Sequence, residues 1–469
     1  MKGQGKDKGV PSQQGKAPVR TGAEAAAAVL AAGGRVPKKF VKARPVSAGP
    51  TREAAEALGK ITPARRAAFE VLMAVEAGKG HSDELLHGPR MEDLSEADKN
   101  LATALVMGVL RWQIALDARL RTLLERPGQK IAEPVMLALR IGAFQLLHMD
   151  RIPAHAALSE SVEMCRGAGH PHATGMVNAI LRRLATAKKP GEKVFETTAA
   201  FAERLGHPLW LVERWVTQYG REAAMAICGA DQEEPEGGRL FGGAEDGAGL
   251  PQIDDGSRLV AEIAAAALPT VEGRAARVWD CCAAPGGKTL MLAARTPGAE
   301  VLATDVSVKR LAQMQTRLKR YKYAAGVKTA VADAAKSASV QGEFDLILCD
   351  VPCSGTGTLG RNPEIRLRLK AEELKRQAER QREILGAALK KLAPGGRLVY
   401  STCSLEPEEN ERVVDAVAEG WKRVSMEALL GKVQGIGGAE GMVRDGALRT
   451  LPGVHPCDGF YAVVLERAS

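Results

Sequence analysis

With 469 residues the chain is about three times a typical domain length, so two or three domains are expected, each with its own core. Hydrophobic residues at 45% and charged residues at 26% are globular proportions, while aromatics at only 4% limit base stacking as the main mode of any nucleic-acid contact. Eight cysteines in so long a chain, two of them adjacent (Cys281 and Cys282), exclude a small disulfide-stapled module and fit a reducing cytoplasm. The longest apolar runs fall short of the ~18–20 residues of a membrane span, so no membrane partner is expected.

The net charge of +9 is uneven: residues 1–50 carry +8 and residues 51–469 only +1. Residues 1–60 read as a basic tail, either attracting a polyanion by counterion release or serving as a disordered, solubilising segment. From Ile61 the pattern becomes amphipathic helix, with Thr62 as a cap and Pro63 in the first turn. Ser95 opens a longer helix, and further helices are expected over 135–147 and 159–184. Residues 61–190 are therefore read as an all-helical bundle. A linker rich in Pro, Gly and charge covers 187–193, a short helix covers 207–220, and the Gly- and acid-rich stretch 231–257 reads as loop. After it, short apolar runs alternate with helical ones to the end of the chain. RVWDCC, VLATDVS, DLILCDV, GRLVYSTCS and FYAVVLER are the expected strands of a doubly wound α/β sheet over 255–469.

The first of these strands ends at Asp280 and is followed by a small-residue and glycine turn, with a helix starting near Lys288. Gly286 and Gly287 let backbone approach a ligand beyond the carboxyl end of the sheet. Gly287-Lys288-Thr289 also resembles the end of a phosphate loop, but the first glycine of that motif falls on Cys282. Asp305 closes the next strand, where a carboxylate can accept both hydroxyls of a ribose, so an adenosine-containing cofactor fits better than a triphosphate. Asp333 follows the third strand on the side where an adenine would lie.

Two cysteines stand just past two later strands, Cys353 in DVPCSGTG after Asp350 and Cys403 in STCS. Each alone reads as a small buried hydrophobe, yet both occupy polar turns at the functional rim of the sheet. No histidine lies near either loop, and Cys349 and Cys353 lack zinc spacing, so no metal is expected. A thiol beside a methyl donor has a specific use. Carbon 5 of a pyrimidine is a poor nucleophile until a thiolate adds to carbon 6, and cysteine both adds and leaves readily. Asp350, at its strand end, can stabilise the adduct near ring N3.

DCCAAPGGKT (280–289), DVPCSGTGTLGRNPEIR (350–366) and LVYSTCSLEPEENE (398–411) resemble the signature blocks of the RNA cytosine-5 methyltransferases. VNAILRR (177–183) resembles the NusB-like domain of one branch, the RsmB (Sun/Fmu) 16S rRNA methyltransferases, and HPCDGFYAVVLER (455–467) is similar to that family's final hairpin. The resemblance implies a NusB-like helical domain followed by a Rossmann-like methyltransferase domain. It implies Cys403 as nucleophile, with Cys353 assisting product release. It also implies an S-adenosylmethionine pocket lined by Cys282, Ala283, Ala284, Pro285, Gly286, Gly287 and Lys288 with Asp305, Asp333 and Asp350. The implied partner is 16S rRNA, the family's usual target being its cytosine 967, and a cytoplasmic monomer is expected. A departure is that 231–260 is shorter and more acidic than the family's connecting subdomain, keeping Pro235 and Arg239-Leu240 as traces, so 191–254 reads as linker plus a shortened subdomain. The NusB-like region and the altered connection keep a catalytically silent RNA-binding or assembly factor as an alternative, and the phosphate-loop likeness at Gly287-Lys288-Thr289 keeps a nucleotide hydrolase as a distant third. The charged run 366–385 is either a solvated face or an RNA contact, and Arg361 and Asn362 are candidates for positioning the nucleotide.

Overall fold

The computed structural model describes residues 52–126, 128–187, 196–234, 236–241, 249–437 and 439–467. Most of the expected basic tail, nearly all of the expected linker and Pro235 lie outside the described residues.

Helices α1 (Arg52–Gly59) and α2 (Pro63–Glu76) lead into the short α3 (Ser82–Leu86) and α4 (Pro89–Glu92). They are followed by α5 (Glu96–Arg121), α6 (Glu133–His148), α7 (Ala154–Gly167) and α8 (Thr174–Thr186). Their apolar faces meet in one core around Leu72, Leu105, Val109, Leu139, Ile141, Met164 and Leu181, all fully buried. Ser95 caps α5 as its sequence predicts, its hydroxyl accepting the Asp98 N–H at 3.2 Å. Thr62 precedes α2 without capping it. Its hydroxyl instead donates to Glu160 at 2.7 Å, a carboxylate that also receives Arg65 at 3.0 Å inside the bundle. The single helix expected over 159–184 is two, because α7 ends at Gly167 and Gly169 at φ +84° turns the chain before α8 begins. By length and composition α5 is sufficient to cross a membrane, but Ala102, Leu105, Val106 and Val109 on its inner face pack into this core.

Three helices occupy the connecting region: α9 (Thr198–Arg204), α10 (Leu209–Tyr219) and α11 (Arg221–Ala230). Phe201, Leu211, Trp215 and Ile227 form their core together with Leu359 and Leu405 of the sheet domain. Arg239 and Leu240 lie in a turn rather than a strand. Leu240 is buried, and the Asp255 carboxylate accepts the N–H groups of Gly238 at 3.2 Å and Leu240 at 3.0 Å.

The sheet domain opens with α12 (Asp255–Ala267). It continues as β1 (Arg277–Asp280), α13 (Gly287–Arg295), β2 (Glu300–Asp305), α14 (Val308–Leu318), β3 (Lys328–Val331), β4 (Phe344–Asp350), α15 (Ile365–Arg368) and α16 (Ala371–Leu389). Then come β5 (Leu392–Thr402), α17 (Glu411–Val417), β6 (Trp421–Arg423), α18 (Met426–Leu430), β7 (Val443–Arg444), β8 (Ala447–Arg449) and β9 (Tyr461–Arg467). The strand order is β3-β2-β1-β4-β5-β9-β8-β7, with β6 also pairing β9. The first five strands are parallel, while β9 runs antiparallel to β5 and its partners follow suit. Alternate residues bury opposite faces: Trp279, Ile347 and Leu398 face α16, and Val278, Leu346 and Val399 face α12 and α13. The run 366–385 is broken at Leu369 and Lys370, so it is two helices, and Arg366 within it is buried rather than solvated.

Candidate active site

Strand order reverses between β1 and β4, and a crevice opens there beyond their carboxyl ends. It is a cleft of about 320 Å³ whose walls include Cys282, Ala283, Ala284, Pro285, Gly287, Lys288 and Asp350. Gln252, Ile253, Asp254 and Ser257, ahead of and within the first turn of α12, form the facing wall. Gly286 holds the turn at φ +94°, a conformation a side chain rarely adopts, and a Cβ there would lie 2.7 Å from Met314. Lys288, projecting from the first turn of α13, reaches Asp350 at 2.8 Å and Ser257 at 3.1 Å. Burial alone would pull its ammonium down, but Asp350 outweighs that and holds it above its ordinary value. This lysine is committed to a carboxylate, which does not suit a phosphate loop.

Asp280 is 1% exposed and stands at the cleft, with Oδ2 accepting the Thr289 hydroxyl at 2.6 Å and Oδ1 without a partner among the described residues. Burial pushes its carboxyl up to about 7 against the opposing hydrogen bond from Thr289. An orphaned, buried acceptor in a cleft calls for a donor from a ligand, and the ammonium of an amino-acid moiety supplies one. Asp305 lies one strand further out. Its carboxylate accepts the N–H groups of Ser307 at 2.8 Å and Ala284 at 3.3 Å, with Arg310 at 3.6 Å, and it is not among the cleft walls. Asp333 accepts the Ala335 N–H at 3.2 Å and pairs with Lys336, again outside the cleft walls. Val306 and Val308, beside Asp305, are 54% and 67% exposed, apolar surface at a strand end.

The two cysteines meet because β4 and β5 pair in parallel with Asp350 opposite Ser401. Each chain then runs two or three residues further, bringing Cys353 Sγ within 3.3 Å of Cys403 Sγ. The neighbouring thiol and burial push Cys353 well above its ordinary value, so it holds its proton. Lys288, whose charge interacts with Cys403, is the nearby cation. The loops are locked by Glu409, which accepts the Ser354 N–H at 2.8 Å, the Ser354 and Ser404 hydroxyls, and Gln381 Nε2 at 3.0 Å. Gly357 lies against Gly459, where a Cβ would come within 2.2 Å of the Gly459 carbonyl oxygen. Arg361 and Asn362 are used within the scaffold, Arg361 on Asp458 at 2.6 Å and Asn362 on Thr358 at 3.2 Å. Sequence reasoning missed Asp254, Ser257 and Glu409. The acid-rich LEPEENE after Cys403 was the available signal for Glu409.

The profile of 16S rRNA methyltransferase RsmB/F matches residues 266–466, and that of the NusB family matches 62–186. A ribosomal RNA small subunit methyltransferase B of Xanthomonas campestris pv. campestris is 32% identical, over 89% of this chain and 100% of that protein. The protein of the same description from Cronobacter sakazakii is 30% identical, over 83% of this chain and 95% of its own length. The crystal structure of PH0851 shares the fold, with a TM-score of 0.65 over 87% of this chain and 99% of that one at 21% identity. Two profiles in chain order and a relative matched along its whole length establish that the chain belongs to the ribosomal RNA small subunit methyltransferase B family.

Proposed function

We propose that the protein methylates carbon 5 of a cytosine in 16S rRNA through a transient bond from Cys403 to carbon 6. The observation that carries this reading is the pair of thiols 3.3 Å apart at the rim of a sheet whose adjoining cleft holds Lys288, Asp350 and the unpartnered oxygen of Asp280. S-adenosylmethionine is the methyl donor of the family, and when bound it supplies an electrophilic methyl carbon on a sulfonium. Asp280, Lys288, Asp350 and the 282–287 turn are the residues that would hold it, with Asp305 on the ribose and Val306 and Asp333 toward the adenine.

The chain's own groups do the rest. Cys353 keeps its proton, and Lys288 is a cation whose charge interacts with Cys403. Sγ of Cys403 adds to carbon 6 as N3 takes up a proton from water, which makes carbon 5 enamine-like; Asp350 accepts the hydrogen bond of the resulting N3–H, and N3 gives that proton back to water when the thiol is expelled. Once carbon 5 carries the methyl, loss of its proton to a base re-forms the 5,6 double bond and expels Cys403 Sγ, with Cys353 assisting the departure. Mass spectrometry of nucleosides from 16S rRNA of cells with and without the gene tests the reading. One 5-methylcytosine should disappear with the gene, and fragment mapping should place it, the family resemblance pointing to cytosine 967. An unchanged 5-methylcytosine inventory would return the protein to a silent assembly factor.

A further inference from the structure

Beside the two cysteine loops lies a groove that the chemistry above does not use. Two adjoining hollows of about 460 and 330 Å³ share Arg214, Glu408 and Arg412 as walls. Trp210 on α10 lines one side, Lys375 and Arg382 on α16 line the other, and the loop after Cys403 runs between them. The walls carry Arg214, Lys375, Arg382 and Arg412 against Glu213 and Glu408, and the exposed Glu213, on the Trp210 side, makes no ion pair among the described residues. Glu408 is neutralised by Arg214 at 2.6 Å and by Arg412 at 3.0 Å, so it does not oppose an incoming anion. Lys375 and Arg382 are exposed and make no ion pair among the described residues. Residues 51–469 as a whole are nearly neutral, so this local excess of positive charge is not a general property of the surface. Trp210, half-buried, is the aromatic residue on that wall.

The groove is also built into the cysteine loops. Between Ala378 and Arg382, which face the groove, Gln381 points inward and its Nε2 donates to the Pro352 carbonyl at 2.9 Å and to Glu409 at 3.0 Å. Glu409 in turn holds Ser354, next to Cys353. Whatever lies in the groove therefore rests on the same wall that fixes the thiol.

We infer that this groove holds the phosphate backbone of the RNA strand carrying the target cytosine, with Lys375 and Arg382 as its two unpaired phosphate contacts. The inference rests on the RNA-methylating reading above. Its test is the full-length protein with Lys375→Glu and Arg382→Glu, measured by filter binding to a 16S rRNA transcript between 50 and 200 mM salt. Affinity at low salt should fall at least tenfold, and the slope of log affinity against log salt should flatten by about 1.4–1.8, the loss of two phosphate contacts. A Lys375→Gln, Arg382→Gln pair should flatten the slope equally with a smaller loss of affinity, separating lost contacts from added repulsion. S-adenosylmethionine affinity by calorimetry, thermal stability and kcat at saturating RNA should stay within twofold of the parent, with the change confined to KM. An unchanged salt slope, or a loss of affinity independent of salt as expected for a groove that takes an acidic protein, overturns the assignment. If the parent protein itself neither binds nor methylates 16S rRNA, the activity reading fails first and the groove assignment falls with it.

Discussion

Cys353 and Cys403 are 50 residues apart in sequence and 3.3 Å apart in space, and the proposed chemistry gives them opposite phenotypes. Cys403→Ser should abolish methylation and form no covalent complex, because a hydroxyl is a far weaker nucleophile toward the ring. Cys353→Ser should permit attack and methyl transfer but slow release, so that protein cross-linked to RNA survives a denaturing gel. The double variant should lose the adduct, and an adduct seen only with Cys403→Ser would reverse the two roles. Asp280 gives a pH test. Its carboxyl titrates near 7 because burial penalises the ionised form, so in the free protein its contribution to stability is fullest below the ordinary carboxylate range and is lost as pH rises through about 7. A cationic ligand prefers the ionised form. S-adenosylmethionine affinity should therefore rise about tenfold from pH 6 to pH 8 by calorimetry, and Asp280→Asn should remove that dependence. At this scale Lys288, Asp350 and the two cysteines were legible because each follows a recognisable strand. Glu409 and Ser257 were not, since their roles come from which distant loops they touch, and sequence spacing carries no trace of that.

At the scale of elements, strands buried on both faces and helices with one apolar stripe were readable from periodicity: β1, β2, β4 and β5 of the parallel half and the antiparallel β9 stand where the apolar runs place them, while the largely exposed edge strand β3 offers no such run. The two- and three-residue strands β6, β7 and β8 are too short to show a period; β6 and β8 pair with β9, and β7 pairs in turn with β8. The break between α15 and α16 was also invisible. Arg366 reads as one more charge on a polar helix until the carbonyls that capture it are known. The loop carrying Cys353 has its own requirement, the backbone contact between Gly357 and Gly459. Gly357→Ala should destabilise the protein by about 1–3 kcal/mol through overpacking, measured by urea unfolding, and should lower kcat more than it weakens S-adenosylmethionine binding.

On the scale of the whole molecule, one buried side chain ties three regions together. The Arg366 guanidinium, with no carboxylate within bonding distance among the described residues, donates to the carbonyls of Arg111 in the helical domain, Gly206 and Asp231 around the connecting helices, and Leu359 beside the cysteine loop, at 3.1–3.4 Å. Burial pulls it down to about 10, still charged at neutral pH. Around it, His81 and the Ser82 N–H reach Glu364 at 2.8 and 2.9 Å, and Arg111 donates to the Gly360 carbonyl at 2.8 Å. Arg366→Leu would leave several buried carbonyls unpaired and should cost about 3 kcal/mol or more by thermal unfolding. Limited proteolysis should show cleavage between the helical and sheet domains before either is degraded. Intact interdomain resistance in that variant would mean that the contacts of Glu364 and Arg111 suffice.

The spacing of the two thiols is set by the ladder that pairs Asp350 with Ser401. A strand advances about 3.3 Å per residue and alternates its faces, so inserting or deleting one residue in β4 or β5 would displace one sulfur by the full width of the thiol gap and turn it to the opposite side. Replacing one apolar residue by another along the same strands leaves that alignment untouched. Apolar exchanges along these two strands should therefore be tolerated, whereas a one-residue insertion or deletion between either strand and its cysteine should abolish turnover. The fixed quantity in this active site is a length.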